Sequence, residues 1–522
     1  MLVCLEVQVG DPAEEFPVAD TPLFFRTATE LAMLIREGQL TAVAVVEAHL
    51  RQIRQWNPQL HAVVSVREAD ALREAEQADA ARRDGNPMGP LHGVPITLKD
   101  SLRVRGVLST FGGLPPYAWH HPRTDCKVSE RLRQAGAIVI GRTNLPLMAL
   151  NWQCDNPFYK EGVNPWDHKR TPGGSSGGAA AALAAGFAPL DLGSDLGGSI
   201  RYPAHCCGVL GLRTTVGLLP IDDIGPEGPR MSFHRLLSLG PMARSIDDLA
   251  LMLDVLTGPA EARPVPSSLQ GERLRIAVTP SLPFAEPDPA TAALIESRCM
   301  GLRADGHEVA TPVAPPVDLE AAWRLWGAIA GYELWSGVPW PANNRLSRSL
   351  FEAYMLRYKL GDGPFTKWFS AGMALSHRGY EDALAEQEEI FRTVSDFFTH
   401  YACWILPVSM GEAIPRQHRG SPIDVNGTAV PYSQYLGAYT VPTTLFETPV
   451  LTIPIGVGRG NMPIGVQVHG PRFADRHLLD MAQRVLSKYV KLRIPPALQV
   501  HNVAPRTLRN PEPVPTVATD RT

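Results

Sequence analysis

The first third of the chain alternates amphipathic helical stripes with short, unbroken apolar runs. Thr27-x-x-Glu30 has capping-box spacing and predicts a helix ending near Gly38. Thr41 opens a second, with Val43, Val46, Leu50 and Ile53 on one face, which Asn57-Pro58 is expected to stop. An Ala- and Glu-rich helix follows over about 67–83, then an apolar strand at 93–98. Next come a helix with Val128, Leu132 and Ala135 on one face and a second strand at 137–140. Strands apolar on both faces need cover on both sides. The pattern therefore predicts an α/β fold, a mixed central β-sheet with helices on both faces.

The same alternation resumes beyond a proline-rich connection at 258–271, with a strand at 274–279 and a helix at 291–304. Residues 320–400 read as mainly helical, and tryptophans there, such as Trp323 and Trp326, read as core or pocket wall. Runs at 450–455 and 464–468 predict paired strands, with a helix from Ala474. Residues 1–22 read as a loose leader and the proline-rich 503–522 as a disordered tail, which leaves one domain over 23–502.

The most unusual segment is Thr171-Pro172-Gly173-Gly174-Ser175-Ser176-Gly177-Gly178, which leads into an alanine-rich helix. A phosphate loop would need a Gly-Lys-Ser/Thr ending, which is absent. A nucleophile elbow would have to leave a strand, and the polar, proline-broken 163–170 makes none. Two further segments complete a different set. In Gly193-Ser194-Asp195-Leu196-Gly197-Gly198-Ser199-Ile200-Arg201, consecutive backbone N–H groups before Ser199 can form an anion-binding nest. In 93–100, Lys99 ends an apolar strand, where withdrawal from water lowers an amine's pKa.

Taken together, the three segments resemble the amidase signature family, most closely its fatty acid amide hydrolase-like and bacterial amidase branch. The likeness is strongest over about 27–258, with a signature core at 90–258, and resumes at 449–467. It implies a serine hydrolase of amides that needs no metal or cofactor. Lys99 would be the terminal base, Ser175 (joined to Gly174 by a cis peptide) the bridging serine, and Ser199 the nucleophile. The N–H groups of Leu196, Gly197, Gly198 and Ser199 would form the oxyanion hole. Ser176 is expected to be structural, Asp195 and Arg201 to buttress the loop, and His92 and His205 to do no chemistry. Where many members have Thr-Asn-x-x-Glu, this chain has Leu147 in place of the acid. The stretch 149–157 is similar to one that lines the substrate pocket in that branch. Leu147, Ala149, Leu150, Trp152 and Tyr202 are thus the expected substrate contacts, and they predict a neutral apolar or aromatic amide. The 320–440 region would add the helical substrate side. Alternatives with the same triad are the glutamine-hydrolysing component of a tRNA-dependent amidotransferase, or a carbamate or ester hydrolase.

Composition narrows the partners. The 522 residues carry a formal net charge of −4, with no Lys/Arg-dense run, which argues against a nucleic-acid partner. Seven cysteines show no C-x-x-C and no regular framework, as expected in a reducing compartment. Met1 to Asp11 lacks a basic n-region, and no apolar run reaches the ~20 residues of a membrane span, so a cytoplasmic location is expected. The expected partner is a small-molecule amide, with a homodimer left open.

Overall fold

The computed structural model describes residues 21–113, 119–221, 224–225, 235–258, 265–338, 341–490 and 493–499. The expected tail, all but the last two residues of the expected leader, and 259–264 of the proline-rich connection lie outside them.

One large sheet organises the described residues. Its strands are β1 (Val63–Val66), β2 (Pro95–Lys99), β3 (Ile138–Thr143), β4 (Leu190–Asp195), β5 (Leu210–Arg213) and β6 (Ser238–Ala243), then β7 (Arg275–Val278), β8 (Glu308–Ala310) and β9 (Cys403–Pro407). A small hairpin, β10 (Ile423–Val425) and β11 (Thr428–Val430), stands apart, and β12 (Val450–Val457) and β13 (Pro463–His469) complete the large sheet. The order is β1-β3-β2-β4-β6-β5-β12-β13-β9-β7-β8. β2 runs parallel to β3 and β4, and β7 to β8 and β9, whereas the pairings from β4 through β6, β5, β12 and β13 to β9 are antiparallel. Every residue of β2, β3, β4, β5, β6, β9 and β13 is buried. The mixed, doubly covered sheet is the one the apolar runs predict.

Most expected helices form close to their predicted places. Thr27 caps Ala28–Arg36 by accepting from the Glu30 N–H, and Thr41 likewise caps Ala42–Leu60. The second helix differs in its end, since it runs through Pro58 to Leu60. Pro58 falls in the last turn, where its ring costs a single hydrogen bond, and His61 then ends the helix in the left-handed region at φ 48°. The Asn57 side chain clamps both the N–H and the C=O of Val63, turning the chain directly into β1. That strand is four residues long, too short for alternation to reveal.

The helix Gly177–Ala184 brings the serine-rich loop to the sheet. All eight residues are buried, and it packs on β1 to β4 and β6. A helix without a polar face must lie inside, and small side chains let its backbone approach its neighbours closely. At Gly178 a Cβ would sit 2.2 Å from the Asn144 nitrogen and 2.6 Å from the Ala62 oxygen, both backbone atoms. Gly178→Ala should therefore cost about 3 kcal/mol or more through overpacking. Thermal unfolding of the purified variant checks this, and an unchanged midpoint would refute the close-approach account.

Candidate active site

β2 delivers Lys99 into the interior, where its side chain is fully buried. Its amine lies 2.7 Å from Ser175 Oγ, 2.9 Å from Ser176 Oγ, 3.0 Å from Ser194 Oγ and 3.4 Å from the Ser194 carbonyl. Burial pulls the amine down to about 7, against the opposing pull of Asp195 and Asp191. Gly174–Ser175 is a cis peptide, as the resemblance implies. Ser176 also donates its N–H to the Ser199 carbonyl, so it ties the two serine segments together. Ser194 is a lysine partner that sequence reasoning missed, although it stands in the quoted glycine-rich segment. β2 and β4 run side by side from Ile96↔Leu190 to Leu98↔Leu192, so the end of one strand faces the end of the other.

Just past β4, the loop to Ser199 wraps around the fully buried carboxylate of Asp195. Oδ1 accepts from Gly198 N–H (2.8 Å) and Oδ2 from Ile200 N–H (3.0 Å). Arg201 grips both oxygens, Nε to Oδ2 at 3.0 Å and Nη2 to Oδ1 at 2.9 Å, and Arg213 stands 3.8 Å from Oδ1. Burial alone would raise this acid; Arg201, and then Arg213, hold it instead well below the usual carboxylate range. The expected buttress is present, with Arg213 as an additional cation.

The Asp195 contact corrects one expected oxyanion donor. The Gly198 N–H is already engaged by a charged acceptor, so it is not free for a ligand. Among the described residues, the N–H groups of Leu196, Gly197 and Ser199 have no protein acceptor. The loop's carbonyls, by contrast, are all occupied. Leu196 O accepts from Trp326 Nε1 (2.9 Å), Gly197 O from Trp152 Nε1 (3.3 Å) and Thr440 Oγ1 (3.2 Å), and Gly198 O from Tyr202 N–H (2.8 Å). Gly198 has φ 112°, and a Cβ there would lie 2.5 Å from Thr440 Oγ1. This position requires glycine.

Ser199 is half-buried, and its hydroxyl has no hydrogen-bond partner among the described residues. It opens onto a cleft of about 330 Å³, part of it solvent, walled by Ala149, Leu150, Trp152, Trp326, Leu360 and Phe365. Of the expected contacts, Ala149, Leu150 and Trp152 line it. Leu147 and Tyr202 do not. Tyr202 faces the core from the helix Arg201–Cys207, which begins after Ser199; its side chain is fully buried and stacked on His205, one turn on, at 5.9 Å. Leu147 packs against the core beside Gly112. Trp326 read only as core or pocket wall, and Leu360 and Phe365 were not singled out; nothing in their local pattern separates pocket wall from core.

The nearby histidines are structural. His205 accepts the Gly465 N–H at Nδ1 (2.9 Å) and faces the Gly411 carbonyl at Nε2 (3.0 Å), and burial pulls it down to about 4. His92 faces the Ala78 carbonyl. Among the described residues no three His, Cys, Asp or Glu side chains gather into a metal-binding group. Asp195→Ala would leave Arg201 and Arg213 buried without their shared anion, so a loss of about 3–5 kcal/mol is expected. Chemical denaturation measures it; a loss below about 1 kcal/mol would show that the loop does not depend on this carboxylate.

Comparison with known proteins fits this geometry. The family model described as Amidase matches residues 44–479. The chain is 31% identical to an indoleacetamide hydrolase of Bradyrhizobium diazoefficiens, covering 89% of this chain and 86% of that one. It is 32% identical to one component of the glutamyl-tRNA(Gln) amidotransferase of Salinispora tropica, over 92% of this chain and all of the other. A crystal structure of an amidase superposes with a TM-score of 0.74 at 27% identity, covering 89% of this chain and 100% of that one. The chain belongs to the amidase family and is an amide-hydrolysing enzyme.

Proposed function

We propose that the enzyme hydrolyses a neutral amide with an apolar or aromatic group through a Lys99–Ser175–Ser199 relay and an acyl-enzyme. The observation that carries this reading is the Lys99 amine, buried, contacting only serine oxygens among the described residues, and 2.7 Å from Ser175 Oγ. A neutral amine has a lone pair to accept a proton, and the short contact to Ser175 can carry one in either direction. As substrate seats over Ser199, its hydroxyl passes its proton to Ser175, which passes its own to Lys99, and Ser199 Oγ bonds to the carbonyl carbon. The resulting oxyanion is met by the free N–H groups of Leu196, Gly197 and Ser199. The relay returns the proton to the leaving nitrogen as the C–N bond breaks. Water then attacks the acyl-enzyme by the same route, releasing the acid and restoring Ser199.

The substrate class follows from the cleft. Its wall carries no charged side chain among the described residues. The nearest cation in sequence, Lys359 beside Leu360, is held by Asp155 at 2.6 Å. A substrate carboxylate placed there would be buried unpaired, at a cost of several kcal/mol, whereas a ring gains roughly 1.5–3 kcal/mol from burial. The indoleacetamide hydrolase relative supports an aromatic amide; the amidotransferase relative keeps glutamine as the alternative. The described cysteines are all free and buried, which favours a reducing, cytoplasmic setting. No helix among the described residues is long and apolar enough to cross a membrane.

The mechanism is tested by a fluorophosphonate probe. It should label Ser199, and labelling of Ser175 with Ser199 unmodified would overturn the assignment. Because the working base is the neutral form of a lysine lowered to about 7, kcat/KM should rise with pH through that value and level off above it. Lys99→Ala should abolish amide hydrolysis; near-normal rates in that variant would end the relay scheme. For substrate class, kcat/KM should be higher for an aryl acetamide than for glutamine by at least about a hundredfold. A preference for glutamine would establish the amidotransferase-type reading instead.

A further inference from the structure

The wall of the cleft and the oxyanion loop share two side chains. Trp326 and Trp152 both face the cleft, and both donate their indole N–H to carbonyls of the loop that ends at Ser199. In a trans peptide the C=O and the following N–H point in opposite directions. Holding the Leu196 carbonyl therefore also aims the Gly197 N–H, which has no protein acceptor. Holding the Gly197 carbonyl aims the Gly198 N–H, which meets Asp195. The indoles themselves are fixed. Phe365 packs on both, with ring centroids 5.1 Å from each, and Phe369 lies 5.8 Å from Trp326.

We propose that Trp326, with Trp152 in a supporting part, is a positioning residue for amide hydrolysis: its N–H keeps the Leu196 carbonyl turned away from Ser199, so that the Gly197 N–H faces the developing oxyanion. The inference rests on Ser199 being the nucleophile. Its chemical content is that each indole does two separable things. The ring walls the acyl pocket, which affects ground-state binding, and the N–H orients a donor that matters most in the transition state. Substrate recognition and oxyanion stabilisation are thereby built on the same two residues, contributed by segments far apart in the chain.

The two peptide planes differ in redundancy, and this gives the proposal a specific signature. Among the described residues Leu196 O has one side-chain donor, Trp326. Gly197 O has two, Trp152 and Thr440, and its plane is also held at the far end by Asp195. Trp326→Phe keeps an aromatic wall and removes the donor to Leu196 O. It should lower kcat about tenfold or more and leave KM within about threefold. Affinity for a trifluoromethyl ketone analogue of the substrate, which forms an oxyanion on Ser199, should fall in parallel. Trp152→Phe and Thr440→Val should each cost less than about threefold in kcat, and the double variant should cost more than the product of the two.

The experiment measures kcat, KM and ketone inhibition for these variants, with thermal midpoints to verify folding. A Trp326→Phe enzyme with unchanged kcat, or with only KM raised, overturns the proposal and leaves the indole as a wall. Should that variant fail to fold, the Trp152/Thr440 cycle decides: multiplicative effects overturn shared positioning, and more-than-multiplicative loss supports it. Fluorophosphonate labelling of the native enzyme is run alongside. If Ser199 is not the labelled residue, the underlying mechanism has failed; if Ser199 labels and the variants behave as wild type, only this inference has.

Discussion

Asp195 is a carboxylate that water does not reach, and the geometry of the loop that ends at Ser199 depends on keeping it charged. Burial would neutralise it. The bidentate Arg201, the more distant Arg213 and the N–H groups of Gly198 and Ile200 reverse that tendency. Each cation is in turn anchored elsewhere. Arg201 donates to Thr443, Thr444 and Gln467, and Arg213 to the carbonyls of Leu236, Thr444 and Thr448. The loop before Ser199 is thus fastened to residues some 240 positions later. A buried ion pair is weak evidence of net stabilisation, because desolvation of both charges opposes their attraction. Its contribution here is directional: it sets which amides of the loop are spent and which stay free.

Close by, the same dry interior is used in the opposite sense. Lys99 is surrounded by hydroxyls and given no carboxylate to bond, so desolvation is not cancelled and the amine is lowered to about 7. A lysine paired directly with Asp195 would stay charged and could accept nothing. Asp191, on the same strand as Asp195, completes the contrast. It takes hydroxyl donors from Thr97 and Thr143 and, among the described residues, no cation bonds it, so burial raises it. An acid inclined to be neutral exerts less upward pull on the nearby amine. One low-dielectric region therefore holds an ionised acid, a readily neutralised acid and a readily neutralised base, separated by what each is allowed to bond.

What could be read from the sequence divides along the same physical line. The helices with strong stripes were legible by their period, and the strands β2, β3, β12 and β13 by their short apolar runs. Pro58 misled, because a proline in a helix's last turn costs little, while β1 and β8 are too short to show alternation. The residues that meet at the candidate site were legible through spacing and residue type in three short segments. Within them, the oxyanion donors were overcounted, since a sequence cannot show that the Gly198 N–H is spent on Asp195. Tyr202 was misplaced for a related reason: proximity to Ser199 along the chain says nothing of which side of the next helix it faces.

Specificity was the least legible, and the fold explains why. The cleft is closed by Trp326, from the helix Leu319–Ser336, and by Leu360 and Phe365, which follow the π-helical stretch Glu352–Tyr358. These residues lie in a helical region whose apolar positions serve the core as well, and Trp326 packs on Phe369 within it. No local pattern distinguishes an aromatic that meets substrate from one that meets only its neighbours. The proposed proton relay, by contrast, needs serine and lysine at set places with glycines beside them, because proton transfer and close backbone approach tolerate few alternatives. The pocket wall, on the other hand, is assembled from apolar side chains whose packing several residue types could satisfy. In this chain that freedom is restricted at Trp152 and Trp326, whose N–H groups reach back to the loop that ends at Ser199.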